Sequence, residues 1–184
     1  MALGSNLGDA RANVLGAMEQ LGRVTGRALL KSSLWETTPV DCPPSSPKFV
    51  NAVVAWRVRP GETPEAWLRR LQRIEKEFGR RPKKVLNEAR PLDLDLIAFG
   101  HERRATRELT LPHPRAHERR FVLQPLSEMA PDLVLPGQMK TVAQLLASLP
   151  PDLSMKRLEG ARAYSASPRR DGRGKGGKGI EATE

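Results

Sequence analysis

Val14, Leu15, Met18 and Leu21 recur at helical spacing behind Asp9, a helix-capping residue type, and predict a first helix. Residues 28–35 (ALLKSSLW) and 49–56 (FVNAVVAW) are short runs rich in apolar and β-branched residues and predict two strands. The loop joining them, ETTPVDCPPSSPK, holds four prolines, which resist incorporation into helix or central strand. A second helix opens at Thr63-Pro64, aligns Trp67, Leu68, Leu71, Ile74 and Phe78 along one face, and stops at Gly79. After a basic loop, LDLDLIAF reads as a strand and residues 106–111 as the returning strand of a hairpin. Residues 121–128 and 141–149 read as helices. The resulting order, βαββαβ plus extras, predicts an α+β sandwich of ferredoxin-like type: a mostly antiparallel sheet with helices packed on one face. One element departs from this plan. Met1-Ala2-Leu3 before Gly4 is too short for a central strand, which points to a truncated strand or, preferentially, to a natural start upstream of Met1.

Composition narrows the class. The chain has 184 residues, 39% hydrophobic and only 4% aromatic, enough for one lean core. A single cysteine, Cys42, excludes a disulfide framework and a cysteine-based zinc site and suits a reducing, cytoplasmic setting. No apolar run reaches the ~18 residues of a membrane span, and MALGSNLGDAR lacks the parts of a signal peptide. Lys and Arg number 31 against 21 Asp and Glu, a net charge of +10. Residues 160–184 hold six of the 15 glycines and no apolar periodicity, and read as a disordered basic tail. That tail supplies +3, so +7 belongs to a compact unit over residues 1–159, which is expected to handle an anion. No internal repeat is present.

The chemistry concentrates in three places. Leu92-Asp93-Leu94-Asp95-Leu96 alternates strictly, so a strand puts both aspartates on one face and the leucines in the core. Adjacent carboxylates repel unless cations or protons lie between them, and Mg²⁺ with its oxygen ligands meets that need; an acidic solvent-facing strand is the plainer alternative. Immediately upstream stand Arg80, Arg81, Lys83, Lys84 and Arg90, a mixture suited to a metal–polyphosphate complex, or simply a solvated basic loop. Neither the Walker nor the dinucleotide-binding glycine pattern occurs. The segment LPHPRAHERRF adds His113, His117 and three arginines, better suited to phosphate than to zinc, for which no third ligand is near. Gln72 and Glu75 share a face of the second helix.

Five blocks resemble the 6-hydroxymethyl-7,8-dihydropterin pyrophosphokinase family: GSNLGD at 4–9, FVNAVV at 49–54, LQRIEKEFGR at 71–80, ARPLDLDLIAFG at 89–100 and LPHPRAHERRFVLQPLSEMAPDL at 111–133. The resemblance implies an α/β sandwich that moves the pyrophosphoryl group of ATP onto the pterin hydroxymethyl oxygen and releases AMP, in folate biosynthesis. It implies that Asp93 and Asp95 hold two Mg²⁺ ions along the triphosphate. It aligns Arg80 and Arg90 with arginines that close over ATP, Gln72 and Glu75 with positions lining the nucleotide, and His113 and Arg119 with a phosphate-contacting pair. Phe49 and Phe121 align with aromatics that sandwich the pterin, Asn51 with its hydrogen-bonding asparagine, and Thr37 and Val40 with a loop that touches it. Such chemistry asks for positioning and charge neutralisation rather than a general base. Pro82, Leu86, Asn87, Glu88 and Pro114 depart from the family pattern, in or beside the ATP-contacting segments. The expected partners are small molecules, with no specific nucleic acid, no membrane and a monomeric state. The competing readings are a ferredoxin-like nucleic-acid-binding domain, for which the aspartates on the strand are unsuitable, and an inactive family member.

Overall fold

The computed structural model describes residues 1–43, 45–82 and 88–159. The readings placed on Lys83, Lys84, Leu86 and Asn87 and on the tail at 160–184 lie outside the described residues. Within them the order is β1 (Ala2–Ser5), α1 (Ala10–Thr25), β2 (Leu30–Lys31), β3 (Trp35–Thr37), β4 (Phe49–Ala55), α2 (Pro64–Glu77), β5 (Asp93–Asp95), β6 (Arg104–Ala105), β7 (Thr110–Leu111), α3 (Arg120–Met129), α4 (Val142–Ser148) and β8 (Lys156–Arg157). A short 3₁₀ turn, Ala116–Glu118, precedes α3.

Helices α1, α2 and α4 start where a side chain can accept a free backbone N–H. The Asp9 carboxylate accepts the Ala12 N–H at 2.9 Å, and the Thr63 hydroxyl accepts that of Ala66 at 3.2 Å ahead of Pro64. At Thr141 the capping is reciprocal with Gln144. The first helix ends at Gly26, whose left-handed backbone receives no β-carbon penalty.

The main sheet is antiparallel, in the order β5-β1-β4-β3-β8, with β2 also paired to β4. Taking β2 and β3 as one interrupted strand, this is the ferredoxin-like arrangement. Several expectations need correction. Residues 1–3 were read as too short for a central strand, but β1 runs through Gly4 to Ser5 and lies between β4 and β5, with the Met1 nitrogen donating to the Val54 carbonyl at 2.9 Å. Gly4 does not end the strand because it takes a regular place opposite Asn51 and Asp93. The expected strand at 28–35 is broken, since the Ser32 hydroxyl accepts the Val53 N–H at 2.9 Å and Glu128 takes the Ser33 N–H at 2.7 Å. Serine hydroxyls and carboxylates here replace ladder carbonyls. The strand at LDLDLIAF is regular only over Asp93–Asp95, where β1 offers partners, and the hairpin is formed by β6 with β7 rather than with β5.

Helices cover both faces, not one. Leu3, Val50, Ala52, Val54, Leu92, Leu94 and Leu96 meet α1 and α2 through Val14, Met18, Leu21, Trp67, Leu71 and Ile74. On the opposite face Ala2, Val53 and Ile97 meet α3 and α4 through Val122, Leu123, Leu126, Val142 and Leu145. This second layer covers only part of its face, and the uncovered part holds the site.

Candidate active site

Strand alternation decides what the uncovered face displays. On β4, residues 50, 52 and 54 enter the α1/α2 core, so Phe49, Asn51 and Val53 face the other way. On β5, Leu94 enters the core and Asp93 and Asp95 turn outward. Register places Gly4 between Asn51 and Asp93, and Ala2 between Val53 and Asp95. Two carboxylates on β5 and an amide on β4 therefore project to the same side, with only Gly4 and Ala2 of β1 between them. A cavity of about 470 Å³ opens there.

Eleven of the thirteen expected site residues line that cavity. Strand β5 and the segments before it bring Arg80, Arg90, Asp93 and Asp95; β3, β4 and the loop between them bring Thr37, Val40, Phe49 and Asn51; the segment ahead of α3 brings His113 and Arg119, and the first turn of α3 brings Phe121. Gln72 and Glu75 do not line it: Gln72 is exposed on α2, and Glu75 is buried, 7% exposed, behind Asp93.

The carboxylates are surrounded by cations. Arg80 Nη1 lies 2.7 Å from Asp93 Oδ1 and also bonds Glu75, while Arg90 Nε lies 3.5 Å from Asp93 Oδ2. Arg119 Nη1 stands 3.5 Å and His113 Nε2 4.0 Å from Asp95 Oδ2. Burial first, and then the negative charge of Asp93, push the Asp95 carboxyl up from the ordinary aspartate range, against the pull of His113 and the arginines. Burial lowers the basicity of His113, and its Nδ1 accepts the Arg115 N–H at 3.2 Å, so the neutral ring carries its proton on Nε2, toward Asp95.

The neighbouring part of the cavity is built around the Asn51 amide. The Asn51 amide donates to Thr37 Oγ1 at 2.7 Å, with both residues buried, which fixes its orientation. A β-carbon added to Gly4 would stand 3.0 Å from Asn51 Oδ1, so this glycine makes room for the amide. The Arg90 guanidinium lies 5.8 Å from the Phe49 ring centre, and that of Arg119 lies 5.5 Å from the Phe121 centre.

Residues 1–131 match the family described as 7,8-dihydro-6-hydroxymethylpterin-pyrophosphokinase (HPPK). The chain belongs to the HPPK family. Among its relatives, a Synechocystis protein named 2-amino-4-hydroxy-6-hydroxymethyldihydropteridine pyrophosphokinase is 38% identical over 146 residues, 79% of this chain and 73% of that protein. A Haemophilus influenzae protein of the same name is 38% identical over 138 residues, 74% of this chain and 84% of that one. The folic acid synthesis protein fol1 of Pneumocystis carinii is 41% identical over 138 residues, 74% of this chain but 18% of that longer protein.

In and around the cavity stand further residues that the sequence reading did not single out for the site. Asn6, inside the GSNLGD block, donates to the Pro47 carbonyl at 3.2 Å and accepts the Arg90 N–H at 2.8 Å, tying both flanking segments to the end of β1. Arg115 and Asp41 pair across the mouth at 3.5 Å. Asp152, beyond the family match, closes one side. Asn6 and Arg115 stand inside blocks already recognised, so the blocks were the available signal; no local pattern marks Asp41 or Asp152.

Proposed function

We propose that this chain transfers the pyrophosphoryl group of ATP to the hydroxymethyl oxygen of 6-hydroxymethyl-7,8-dihydropterin, releasing AMP, as a cytoplasmic enzyme of folate biosynthesis acting as a monomer. The observation that carries the reading is the single cavity in which Asp93 and Asp95 stand one strand away from the buried Asn51–Thr37 pair.

The donor set fits Mg²⁺. Among the described residues no group of three His, Cys, Asp or Glu side chains could hold a metal ion; Asp93 and Asp95 would hold it through their carboxylates together with substrate oxygens. That is the habit of Mg²⁺, which binds through one or two carboxylates plus phosphates. We assign two ions to the pair; when bound, they neutralise triphosphate charge and acidify the attacking hydroxyl.

The chain's own groups do the remaining work. Arg80, Arg90, Arg119 and the Nε2–H of His113 converge on the aspartates and would grip phosphate oxygens beside them. Phe49 and Phe121 would cover the faces of the pterin, and the preset Asn51 amide with Thr37 and Val40 would read its edge. Gln72 and Glu75, off the cavity wall, retain at most an outer part on the nucleotide side. Alignment of the hydroxyl with the β-phosphorus is then chiefly a matter of positioning.

The nucleic-acid reading gains no support, because the part of the sheet that the helices leave open displays Asp93 and Asp95, whose carboxylates are unsuited to a phosphate backbone. Among the described residues no helix is long and apolar enough to cross a membrane. The test is AMP release from ATP and Mg²⁺ with and without hydroxymethyldihydropterin. Pterin-dependent AMP supports the assignment; AMP formed equally without pterin, or none at all, contradicts it.

A further inference from the structure

A buried carboxylate lies directly behind the two aspartates. Glu75 Oε1 accepts the Leu94 N–H at 2.8 Å, and Leu94 is the residue between Asp93 and Asp95. The same oxygen bonds the Arg80 guanidinium, whose Nη1 also reaches Asp93 Oδ1 at 2.7 Å. The end of α2 produces this meeting. Gly79, at φ 86°, turns the chain so that its N–H bonds the Lys76 carbonyl and the Arg80 N–H bonds that of Glu75, each at 2.9 Å. Arg80 is thereby joined to Glu75 through both backbone and side chain. Burying a carboxylate is costly unless partners compensate, and burial pushes the Glu75 carboxyl up despite the help of Leu94 and Arg80. A helix-surface acid would need neither partner.

We infer that Glu75 is a positioning residue, the standing counter-ion of Arg80, which lets Asp93 exchange its arginine for a metal ion. This rests on the metal reading of Asp93 and Asp95 above. In the present arrangement one guanidinium is shared by two carboxylates, so Arg80 competes with any cation for Asp93. A divalent ion at Asp93 repels that guanidinium. With Glu75 behind it, Arg80 keeps a negative partner and stays at the cavity edge, its remaining N–H groups free to meet phosphate. Without Glu75, the carboxylate left beside Arg80 among its ion pairs in the described residues is that of Asp93, and the competition with metal sharpens.

The exchange makes a counterintuitive prediction. Removing an arginine of the site should strengthen metal binding by the ligand-free protein, whatever it does to turnover. The measurement is Mn²⁺ binding to the full chain without nucleotide, followed by the electron paramagnetic resonance of free Mn²⁺. Arg80→Ala is expected to bind roughly three- to tenfold more tightly than the parent. Arg115→Ala removes an equal charge from the same cavity, but Arg115 pairs with Asp41 rather than Asp93, so its effect should stay below about twofold. Glu75→Gln keeps an acceptor for the Leu94 N–H and should weaken binding roughly threefold, and that weakening should vanish in the Glu75→Gln/Arg80→Ala double variant. Thermal unfolding of each variant checks that it is folded.

Unchanged or weaker binding by Arg80→Ala overturns the inference. So does an equal gain in Arg115→Ala, which would reveal only a general field effect. A Glu75→Gln loss that persists in the double variant also overturns it, by showing that Glu75 acts independently of Arg80. If Asp93→Asn binds Mn²⁺ like the parent, the metal reading itself fails and the inference with it; the other outcomes leave that reading standing.

Discussion

The two faces of the central sheet are built from the same strands and behave as different materials. Toward α1 and α2, Leu3, Ala52, Leu71 and Leu92 are at most 2% exposed, and the layer is closed and apolar. Toward α3 and α4 the apolar layer stops partway, and Asp93, Asp95, Asn51 and their arginines occupy the rest. Strand β5 shows the contrast over three residues, with Leu94 in the core and an aspartate on either side of it. The lesson is that one face can be optimised for stability while the other is left to hold like charges; the backbone of β5 fixes the carboxylates without their having to contribute to folding.

The comparison breaks most sharply at Asp95. Asp95→Asn is expected to lower kcat by at least about a thousandfold, because a carboxylate offered to the metal loses its charge. The same change should raise the thermal stability of the ligand-free protein. Burial and the charge of Asp93 raise the carboxyl of Asp95 above its unfolded value of 3.8, so the folded state holds the proton more tightly than the unfolded chain does. The resulting destabilisation is absent at strongly acid pH, develops as pH rises through the shifted range, and persists at neutrality. The stability gain of the variant should therefore appear at neutral pH and disappear in acid, as denaturant titrations at both would show. A variant less stable than the parent at neutral pH would contradict this.

Leu71→Ala is the converse experiment on the closed face. Leu71 is fully buried, and its truncation should cost about 2–5 kcal/mol of folding stability. Turnover per folded molecule should remain near that of the parent. Denaturant titration and an activity assay on the same preparation separate the two quantities. A large loss of specific activity at full folding would mean that the two faces are coupled through β5.

Both faces were unequally legible in the sequence. The alternation at 92–96 announced which side chains of β5 are core and which are site, because a period of two admits no other reading in a strand. Asp9, Thr63 and Gly79 likewise marked helix ends through local hydrogen bonding, and α2 runs Pro64–Glu77 as expected. The side of the sheet to which α3 and α4 attach was not legible, since an apolar stripe states that a helix is covered and not by which face. Ser32 interrupts a strand by a contact with Val53, 21 residues away in sequence, and no local pattern encodes it. Glu75 was expected to line the nucleotide beside Gln72, and its burial was not legible because it depends on β5, which follows it in the chain. The cavity residues were found mainly through family blocks; the physical pattern alone reached the carboxylates, the basic loop and the histidine–arginine cluster.

Gly4 sharpens the comparison within the open face. Its missing β-carbon leaves room beside Asn51 Oδ1, where an added carbon would stand 3.0 Å away. Asn51 cannot readily yield, because its amide nitrogen is held by Thr37 at 2.7 Å. Gly4→Ala should therefore turn the amide and raise the KM for the pterin by about tenfold, in line with an overpacking cost of about 1–3 kcal/mol, while the KM for ATP changes less. Equal changes in both constants would indicate a general distortion of β1 rather than a disturbed amide.

The smallest expected effect lies at His113, where the charged face meets the question of protonation. Burial lowers the pKa of this imidazole below its unfolded value of 6.5, more than Asp95 raises it. The folded state therefore binds the proton less tightly than the unfolded chain. The stability it contributes is complete at higher pH and is lost as pH falls below 6.5 toward the lowered value. His113→Gln should flatten this part of the stability profile while leaving the plateau near about pH 8 little changed. Denaturant midpoints measured at about pH 5 and about pH 8 give the comparison. A parent profile without an acid-side decline removed by the variant would mean that Asp95 outweighs burial, and that the ring facing the carboxylate is a cation rather than a neutral Nε2–H donor.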